Sequence, residues 1–265
     1  MGKRTQPVRA KVSGSELTPG KAAMAMLREL REFSDPKKAA STQRFFTEPV
    51  QVLGIDTPTL RRVARVWTTR LKDVWRLKEA VALCDELLRY PQLEIRGAGF
   101  LVLAAFHQEF DEALFHRAER WVRRYLDNWA SVDGFVLTVV SPLLEQHPEL
   151  AGHLRRWSQS QCMWVRRAAL VSLVPFARRG EQLDLAYRLA ASLLGEEADL
   201  MHKALGWLLR EAGRTDASRL KSFLLRHQQA IPRTTVRYAI EHFPLSERQE
   251  LLRLTRGPLV DRSSR

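Results

Sequence analysis

The chain has 265 residues, of which 45% are hydrophobic, so it is long enough and apolar enough to bury a substantial core. No apolar run approaches the roughly 20 residues that a membrane-spanning helix needs, which argues against a transmembrane protein. Its 43 Lys and Arg against 30 Asp and Glu give a net charge of +13. This excess favours a polyanionic partner, with nucleic acid ahead of an anionic membrane surface or a charge that serves solubility alone.

The cysteines and histidines favour neither a disulfide framework nor a metal centre. Cys84 and Cys162 both fall within apolar helical patterns, and we interpret them as reduced thiols of a cytoplasmic protein. The seven histidines are scattered, and no HxxxH or CxxC spacing occurs. We therefore expect no metal and no cofactor.

Composition also indicates where the folded domain begins and ends. Residues 1–19 are basic, contain prolines and lack apolar periodicity, which predicts a flexible basic arm. The arm has no apolar segment of the length that a secretory signal requires. Residues 256–265 are polar and are expected to form a disordered tail. The range between them, 20–255, is predicted to form a single domain.

Helix signals follow one another along the whole of that range. Prolines stand at predicted first turns after Thr18, Asp35, Thr57 and His147, and Pro232 gives a fifth such signal. Apolar residues then recur at spacings of three and four, and no stretch alternates as a strand would. The sequence therefore predicts an all-α fold. The expected helix pairs are 20–33 with 35–46, 58–70 with 73–90, 92–109 with 111–126, 129–146 with 148–160, 162–178 with 181–195, 197–212 with 216–228, and 232–243 with 245–255.

From the third pair onward the repeat is about 30 to 40 residues, which is the size of a degenerate HEAT-type unit. Stacked units of this kind predict a solenoid with a concave, basic groove. One register runs through the first helices of the pairs, with separations of 37, 34, 40 and 30 residues, and its members are Arg96, Asp133, Arg167, Trp207 and Arg237. If the pairs are equivalent, these side chains project to one side. Chance alignment of degenerate repeats is the alternative.

Two segments of this register combine aromatic and charged residues. Trp129 and Asp133 are four residues apart and so share one helix face, where they could bracket a common site. The alternative is that Trp129 packs between helix pairs and Asp133 helps to cap a helix. Arg167 follows Arg166, and because neighbours on a helix diverge by about 100°, only one of the two can face the site. Arg167 could pair with Asp133 or hold a phosphate, whereas nearby Trp164 is expected in the core.

The third segment centres on Trp207. Lys203 lies one helical turn before Trp207, so that its ammonium and the indole could share a face. Gly206 removes a side chain beside the indole and permits close approach by a ligand or a helix. For Lys203, a phosphate contact or a solvated lysine is favoured over a Schiff-base nucleophile.

At this point the sequence resembles the AlkD-like alkylpurine DNA glycosylases. The resemblance rests on the blocks WASVD (129–133), WVRRAAL (164–170) and KALGWLLRE (203–211), together with the segment from Phe45 through LGIDTP (53–58). It spans about residues 20–245, and although no single block is specific, their order and spacing together are.

The resemblance implies roles for individual residues. Asp133 matches the catalytic carboxylate, Arg167 the arginine beside it, and Trp129 and Trp207 the aromatic residues that contact the lesion nucleotide. The residues expected to contact DNA are Phe45, Arg96, Arg166, Lys203, Arg210 and Arg237. Two positions depart from a relative, because Phe45 replaces a tyrosine and Asp56 replaces a glutamine.

The implied function is hydrolysis of the N-glycosidic bond of cationic N3- or N7-alkylated purines in duplex DNA, which leaves an abasic site. The enzyme is expected to be monomeric and monofunctional, and to act on a base that stays stacked. A non-catalytic DNA-binding relative and a protein-interaction scaffold are the alternatives. The combination of a carboxylate with two tryptophans argues against both of these.

Overall fold

The computed structural model describes residues 17–255, and every regular element in that range is helical. The predicted tail and all but the last three residues of the predicted arm lie outside the described residues. The chain divides into two compact units between Glu109 and Phe110. That the range 20–255 acts as a single domain stays a prediction. Within the described range, no helix combines the length and the apolar character needed to cross a bilayer.

The first unit begins with helices whose starts are set by side-chain caps. Thr18, Asp35 and Asp56 each accept a hydrogen bond from a backbone amide two or three residues further on. The helices of this unit are α1 (Pro19–Glu32), α2 (Pro36–Thr42), α3 (Thr57–Leu71), α4 (Leu77–Leu88) and α5 (Leu93–Ala104). Short 3₁₀ turns follow α2 at Gln43–Phe45 and α5 at His107–Glu109. Helix α5 packs against α3 and α4, and α4 packs against α1.

A buried carboxylate organises the loop that leads into α3. Glu94 accepts hydrogen bonds from the backbone amides of three consecutive residues, Leu53, Gly54 and Ile55, at 2.8, 2.7 and 3.0 Å. Gly54 has a φ of 81°, and a Cβ atom there would lie 2.2 Å from the carbonyl oxygen of Asp35. Glycine is therefore required at this position for both conformation and space.

The second unit holds the remaining helices. They are α6 (Glu112–Tyr125), α7 (Trp129–Phe135), α8 (Ser141–Gln146), α9 (Leu154–Ser158), α10 (Met163–Ser172), α11 (Val174–Arg178), α12 (Leu183–Ser192), α13 (Asp199–Thr215), α14 (Ala217–Arg226), α15 (Arg233–Ala239) and α16 (Leu245–Leu254). The residues Val136–Val140 between α7 and α8 are π-helical, and Pro148–His153 form a 3₁₀ helix before α9.

Side-chain hydrogen bonds in the second unit recur at the length of the repeat. They join residues that are 30 to 37 positions apart, from one helix pair to the next. The linked pairs are Ser141 with Ser172, Glu119 with Arg156, Asp133 with Arg167, Arg166 with Glu196, Arg178 with Glu211, Asp184 with Arg219, His202 with Thr235, and Arg210 with Glu241. The prediction of an all-α fold of repeated helix pairs is confirmed, while the concave basic groove stays a prediction.

Two of the predicted helices differ from the structure for identifiable reasons. The helix expected over 162–178 is broken at Leu173, because Pro175 cannot donate to the preceding turn. The helix expected from residue 73 begins at Leu77, where the Arg76 amide donates to Glu79. Both cysteines are free, and burial raises the pKa of the Cys84 thiol well above its usual value.

Candidate active site

Asp133 lies on a short helix whose start is fixed by the residues just before it. The side chain of Asn128 accepts a hydrogen bond from the Ser131 amide at 3.0 Å and so caps α7. Trp129 is the first residue of α7 and lies one turn before Asp133, so the two share a helix face as the spacing predicts. The alternative in which Asp133 contributes to the cap is wrong, because Asn128 occupies that position.

Arg167 of α10 holds the Asp133 carboxylate through two parallel hydrogen bonds. Its Nε donates to Oδ1 at 2.8 Å, and its Nη2 donates to Oδ2 at 2.7 Å. Nη1 donates to the carbonyl oxygen of Leu200 in α13 at 2.5 Å. Of the two alternatives for Arg167, the structure has the ion pair. This bidentate geometry fixes both the position and the plane of the carboxylate and joins three successive helix pairs.

The ion pair is almost completely removed from water. Asp133 is 8% exposed and Arg167 is 4% exposed. Burial raises the pKa of Asp133, and this effect outweighs the hydrogen bonds and the charge of Arg167, which lower it. Because a carboxylate has about four lone-pair sites and Arg167 occupies two, both oxygens keep acceptor capacity. The result is an oriented carboxylate that can face a developing positive charge.

Helix α13 carries Trp207 and Lys203 one turn apart. Lys203 Nζ lies 2.7 Å from Asp199 Oδ2, and this hydrogen bond is the main reason why the pKa of Lys203 is raised. Trp207 is half-buried, and no described residue accepts a hydrogen bond from its Nε1 although that atom is buried. Arg167 also acts on the pKa of Lys203, in the opposite direction, so this lysine lies within electrostatic reach of the ion pair.

Gly206 lets α15 approach α13 very closely. A Cβ atom at Gly206 would lie 2.4 Å from the Cβ of Tyr238 and 2.9 Å from the carbonyl oxygen of Thr235. The Thr235 hydroxyl donates to the carbonyl oxygen of His202 at 3.0 Å and fastens the two helices at the same place. Of the two alternatives for Gly206, a ligand or a helix, the structure has the helix.

The neighbouring arginine of α10 faces a different partner. Arg166 donates to Glu196 through Nε at 2.5 Å and through Nη2 at 2.9 Å. Its Nη1 donates to the carbonyl oxygens of Ser160 and Gln161 at 2.8 and 3.1 Å. The divergence of Arg166 and Arg167 is therefore as expected. Four of the five N–H donors of Arg166 are already used within the protein, so Arg166 is not among the DNA contacts of the proposal.

Two other residues expected to contact DNA, and one expected in the core, differ in their exposure. Arg210 is paired with both Glu211 and Glu241, and its side chain is 22% exposed. Arg237 of α15 is exposed. Trp164, expected in the core, is only partly buried.

The remaining sequence-derived residues belong to the first unit. Phe45 is 67% exposed in the 3₁₀ turn after α2. Arg96 is 5% exposed, and its Nε donates to the carbonyl oxygen of Tyr90 at 2.8 Å. A guanidinium buried in this way is not presented to a phosphate, so Arg96 is not among the DNA contacts of the proposal. Asp56 caps α3, and its Oδ2 lies 3.3 Å from Lys38 Nζ, so this carboxylate has partners within the protein.

The structure adds residues that the sequence analysis missed. They are the carbonyl group of Leu200, the carboxylates of Asp199 and Glu196, and Tyr238. Asp199 and Lys203 are four residues apart on a helix, a spacing that could have been recognised as an ion pair. The others depend on how one helix pair packs on the next. Within residues 17–255 no cluster of three or more His, Cys, Asp or Glu could hold a metal ion.

Fold and site together define an all-helical repeat protein that buries an arginine-bound carboxylate beside a tryptophan on the same helix. The model of the DNA alkylation repair enzyme family matches residues 26–243, and the chain therefore belongs to that family. The fold is similar to that of a predicted DNA alkylation repair enzyme from Enterococcus faecalis, with a TM-score of 0.71 and 15% identity over 80% of this chain and 97% of that one. No curated protein sequence matches the chain.

Proposed function

We propose that this protein is a monofunctional DNA glycosylase that removes cationic N3- or N7-alkylated purines from duplex DNA. The observation that carries the proposal is the Asp133–Arg167 pair, a buried and oriented carboxylate in a member of a DNA alkylation repair family. The net charge of +13 supports a polyanionic substrate. The resemblance of the three blocks around Trp129, Arg167 and Trp207 supports the choice of reaction.

The proposed chemistry needs no general acid. An alkylated purine of this kind already carries a positive charge, so when the bond from C1′ to the purine nitrogen breaks, the electron pair neutralises the base. Positive charge then develops on the sugar, and the Asp133 carboxylate stabilises it electrostatically. The oxygen of a water molecule adds to C1′ and loses a proton to the carboxylate or to solvent, which leaves a free base and an abasic site. The faces of Trp129 and Trp207 attract cationic groups, each contributing about 0.5–2 kcal/mol.

Lys203 supports a hydrolytic rather than a Schiff-base mechanism. An amine must be neutral to attack a sugar carbon, whereas the hydrogen bond to Asp199 raises the pKa of Lys203 and keeps it charged. We therefore assign to Lys203 a contact with the DNA backbone. Borohydride treatment during excision should trap no covalent complex between the protein and DNA, and a trapped complex would contradict the monofunctional assignment.

The direct test is release of base from a duplex with a single N7-methylguanine, measured under single-turnover conditions. Free base and abasic sites should form together and faster than in protein-free controls. The same assay should be run on duplex that contains 3-methyladenine. Tight binding to duplex without release of either base would favour a non-catalytic DNA-binding protein. Failure to bind duplex at all would contradict the proposal as a whole.

A further inference from the structure

Tyr238 is an exposed aromatic residue that lies beside the site, and the proposed mechanism does not use it. It is 38% exposed on α15, and its Cβ rests against the backbone of α13 at Gly206. Lys203 lies three residues before Gly206, on the same face of α13. The phenol of Tyr238 is also among the groups that raise the pKa of Lys203, after Asp199. Tyr238 and Lys203 therefore lie together on one exposed surface.

The ammonium of Lys203 and the hydroxyl of Tyr238 each have a hydrogen-bond donor that is available to a ligand. A lysine ammonium has three N–H donors, of which Asp199 accepts at least one. The hydrogen bond from Lys203 is the main reason why the pKa of Asp199 is lowered, so the carboxylate stays charged beside the ammonium. The Tyr238 hydroxyl is a donor that does not carry a charge. An ammonium next to a phenol hydroxyl can bind two oxygens of one phosphodiester.

We infer that Tyr238 and Lys203 together bind a single phosphate of the DNA backbone and so position the target nucleotide. Arg167 donates to the carbonyl oxygen of Leu200, three residues before Lys203 on α13, and it also holds the carboxylate of Asp133. A phosphate bound here is therefore anchored next to the carboxylate that faces the sugar. Tyr238 acts as a positioning residue, because it touches the backbone of the substrate and not the bond that breaks.

This inference rests on the proposed function for its choice of duplex DNA as the ligand, but its test requires no excision. The first measurement is the affinity of each variant for undamaged duplex. Tyr238→Phe removes only the hydroxyl and keeps the ring against Gly206. We expect it to weaken binding roughly 10- to 150-fold, as for the loss of one hydrogen bond to a charged group. The matched control is Tyr125→Phe on α6, where the ring lies 5.4 Å from the Arg124 guanidinium carbon, and binding should not change.

A second measurement identifies the ligand atom as a phosphate. Single phosphates of the duplex are replaced in turn by neutral methylphosphonates, and the wild-type protein should lose affinity at specific positions. At one of those positions the methylphosphonate should cost Tyr238→Phe less affinity than it costs the wild-type protein, because the variant already lacks the contact with that phosphate. Equal losses at every position for both proteins would refute the phosphate contact.

Excision kinetics separate a positioning role from a merely structural one. Tyr238→Phe should raise the protein concentration needed for half-maximal excision by a larger factor than it lowers the saturated single-turnover rate. Tyr238→Ala distinguishes the hydroxyl from the ring: a loss with alanine but none with phenylalanine would overturn the inference. If the wild-type protein binds duplex and Tyr238→Phe binds it equally well, only this inference fails. If the wild-type protein does not bind duplex, the proposed function fails first.

Discussion

Neutralising Asp133 tests whether its charge acts on the substrate or only holds the fold. Asp133→Asn keeps the shape of the side chain and one acceptor oxygen for Arg167, but it removes the negative charge. Loss of one well-placed electrostatic stabiliser lowers a rate by about 10²–10³. We therefore expect single-turnover excision of N7-methylguanine to fall by that factor. Affinity for duplex should be kept or should rise, because a negative charge that repels the DNA phosphates is removed.

The same change also affects stability, and its size can be bounded from the geometry. Removing one partner of a buried ion pair destabilises a protein by about 3–5 kcal/mol when the other charge is left alone. Two features reduce this figure for Asp133→Asn: the retained oxygen still accepts from Arg167, and burial already favours the neutral form of the Asp133 carboxyl. A loss of roughly 1–3 kcal/mol, typical of one hydrogen bond to a charged group, is the expected outcome.

Glu196→Gln provides the matched control. Arg166 holds Glu196 in the same bidentate manner as Arg167 holds Asp133, but it joins α10 to the loop before α13 where Arg167 joins α10 to α7, and both side chains are largely buried. Its neutralisation should lower the melting temperature by a similar amount and leave excision per folded molecule near the wild-type value. Unchanged excision by folded Asp133→Asn would falsify the catalytic role, and so would an equal loss of excision in Glu196→Gln.

Further expected outcomes follow from individual contacts. Because burial raises the pKa of Asp133, excision should decline on acidification at a pH above the usual aspartate value of 3.8, and an excision rate that does not depend on pH in this range would contradict the catalytic role. The contribution of this group to stability should be present below pH 3.8 and should be lost as pH rises through the raised pKa. Gly206→Ala should lower the free energy of unfolding by about 1–3 kcal/mol, because the added Cβ clashes with α15. At Gly134 an added Cβ meets nothing within 4 Å, so Gly134→Ala should raise the free energy of unfolding by roughly 0.5–1 kcal/mol. Thermal melts in which Gly206→Ala is the more stable of the two variants would refute the packing argument. Glu94→Gln should speed hydrogen exchange at the amides of 53–55, which its carboxylate holds, and unchanged protection there would contradict this. Duplex affinity should fall steeply with salt, by a slope of about 0.9 per phosphate contacted, and a flat dependence would argue against backbone binding.

The sequence predicts the local features of the site well, because they depend on spacing along one helix. Trp129 and Asp133 share a face for that reason, and the divergence of Arg166 from Arg167 follows from the rotation per residue. Prolines likewise predict several helix starts, among them the start at Pro19. The ion pair itself was one of two alternatives, and only the packing of α10 on α7 decides between them.

What the sequence does not predict depends on how helix pairs meet. The partner of Arg166 is a glutamate 30 residues further on, in a loop whose position no local pattern specifies. The burial of Arg96 requires knowledge of what covers α5. The π-helical turn at Val136–Val140 has no signal in a single sequence, because it differs from an α-helix only in the pairing of its amides. Tyr238 was missed because its importance derives from Gly206, 32 positions earlier.

The hydrogen bonds of Arg167 determine how the site is lost when the protein unfolds. Its guanidinium joins Asp133 to the carbonyl group of Leu200, so the site exists only while three consecutive helix pairs are folded and in register. In a chain in which each repeat contacts mainly its neighbours, opening of the middle pair alone removes the arginine from both. Activity should therefore disappear, on heating or in denaturant, as soon as that single repeat opens, before the repeats at either end have melted. A variant with one helix pair inserted between Asp133 and Arg167 could retain a full complement of stable repeats and still have no site.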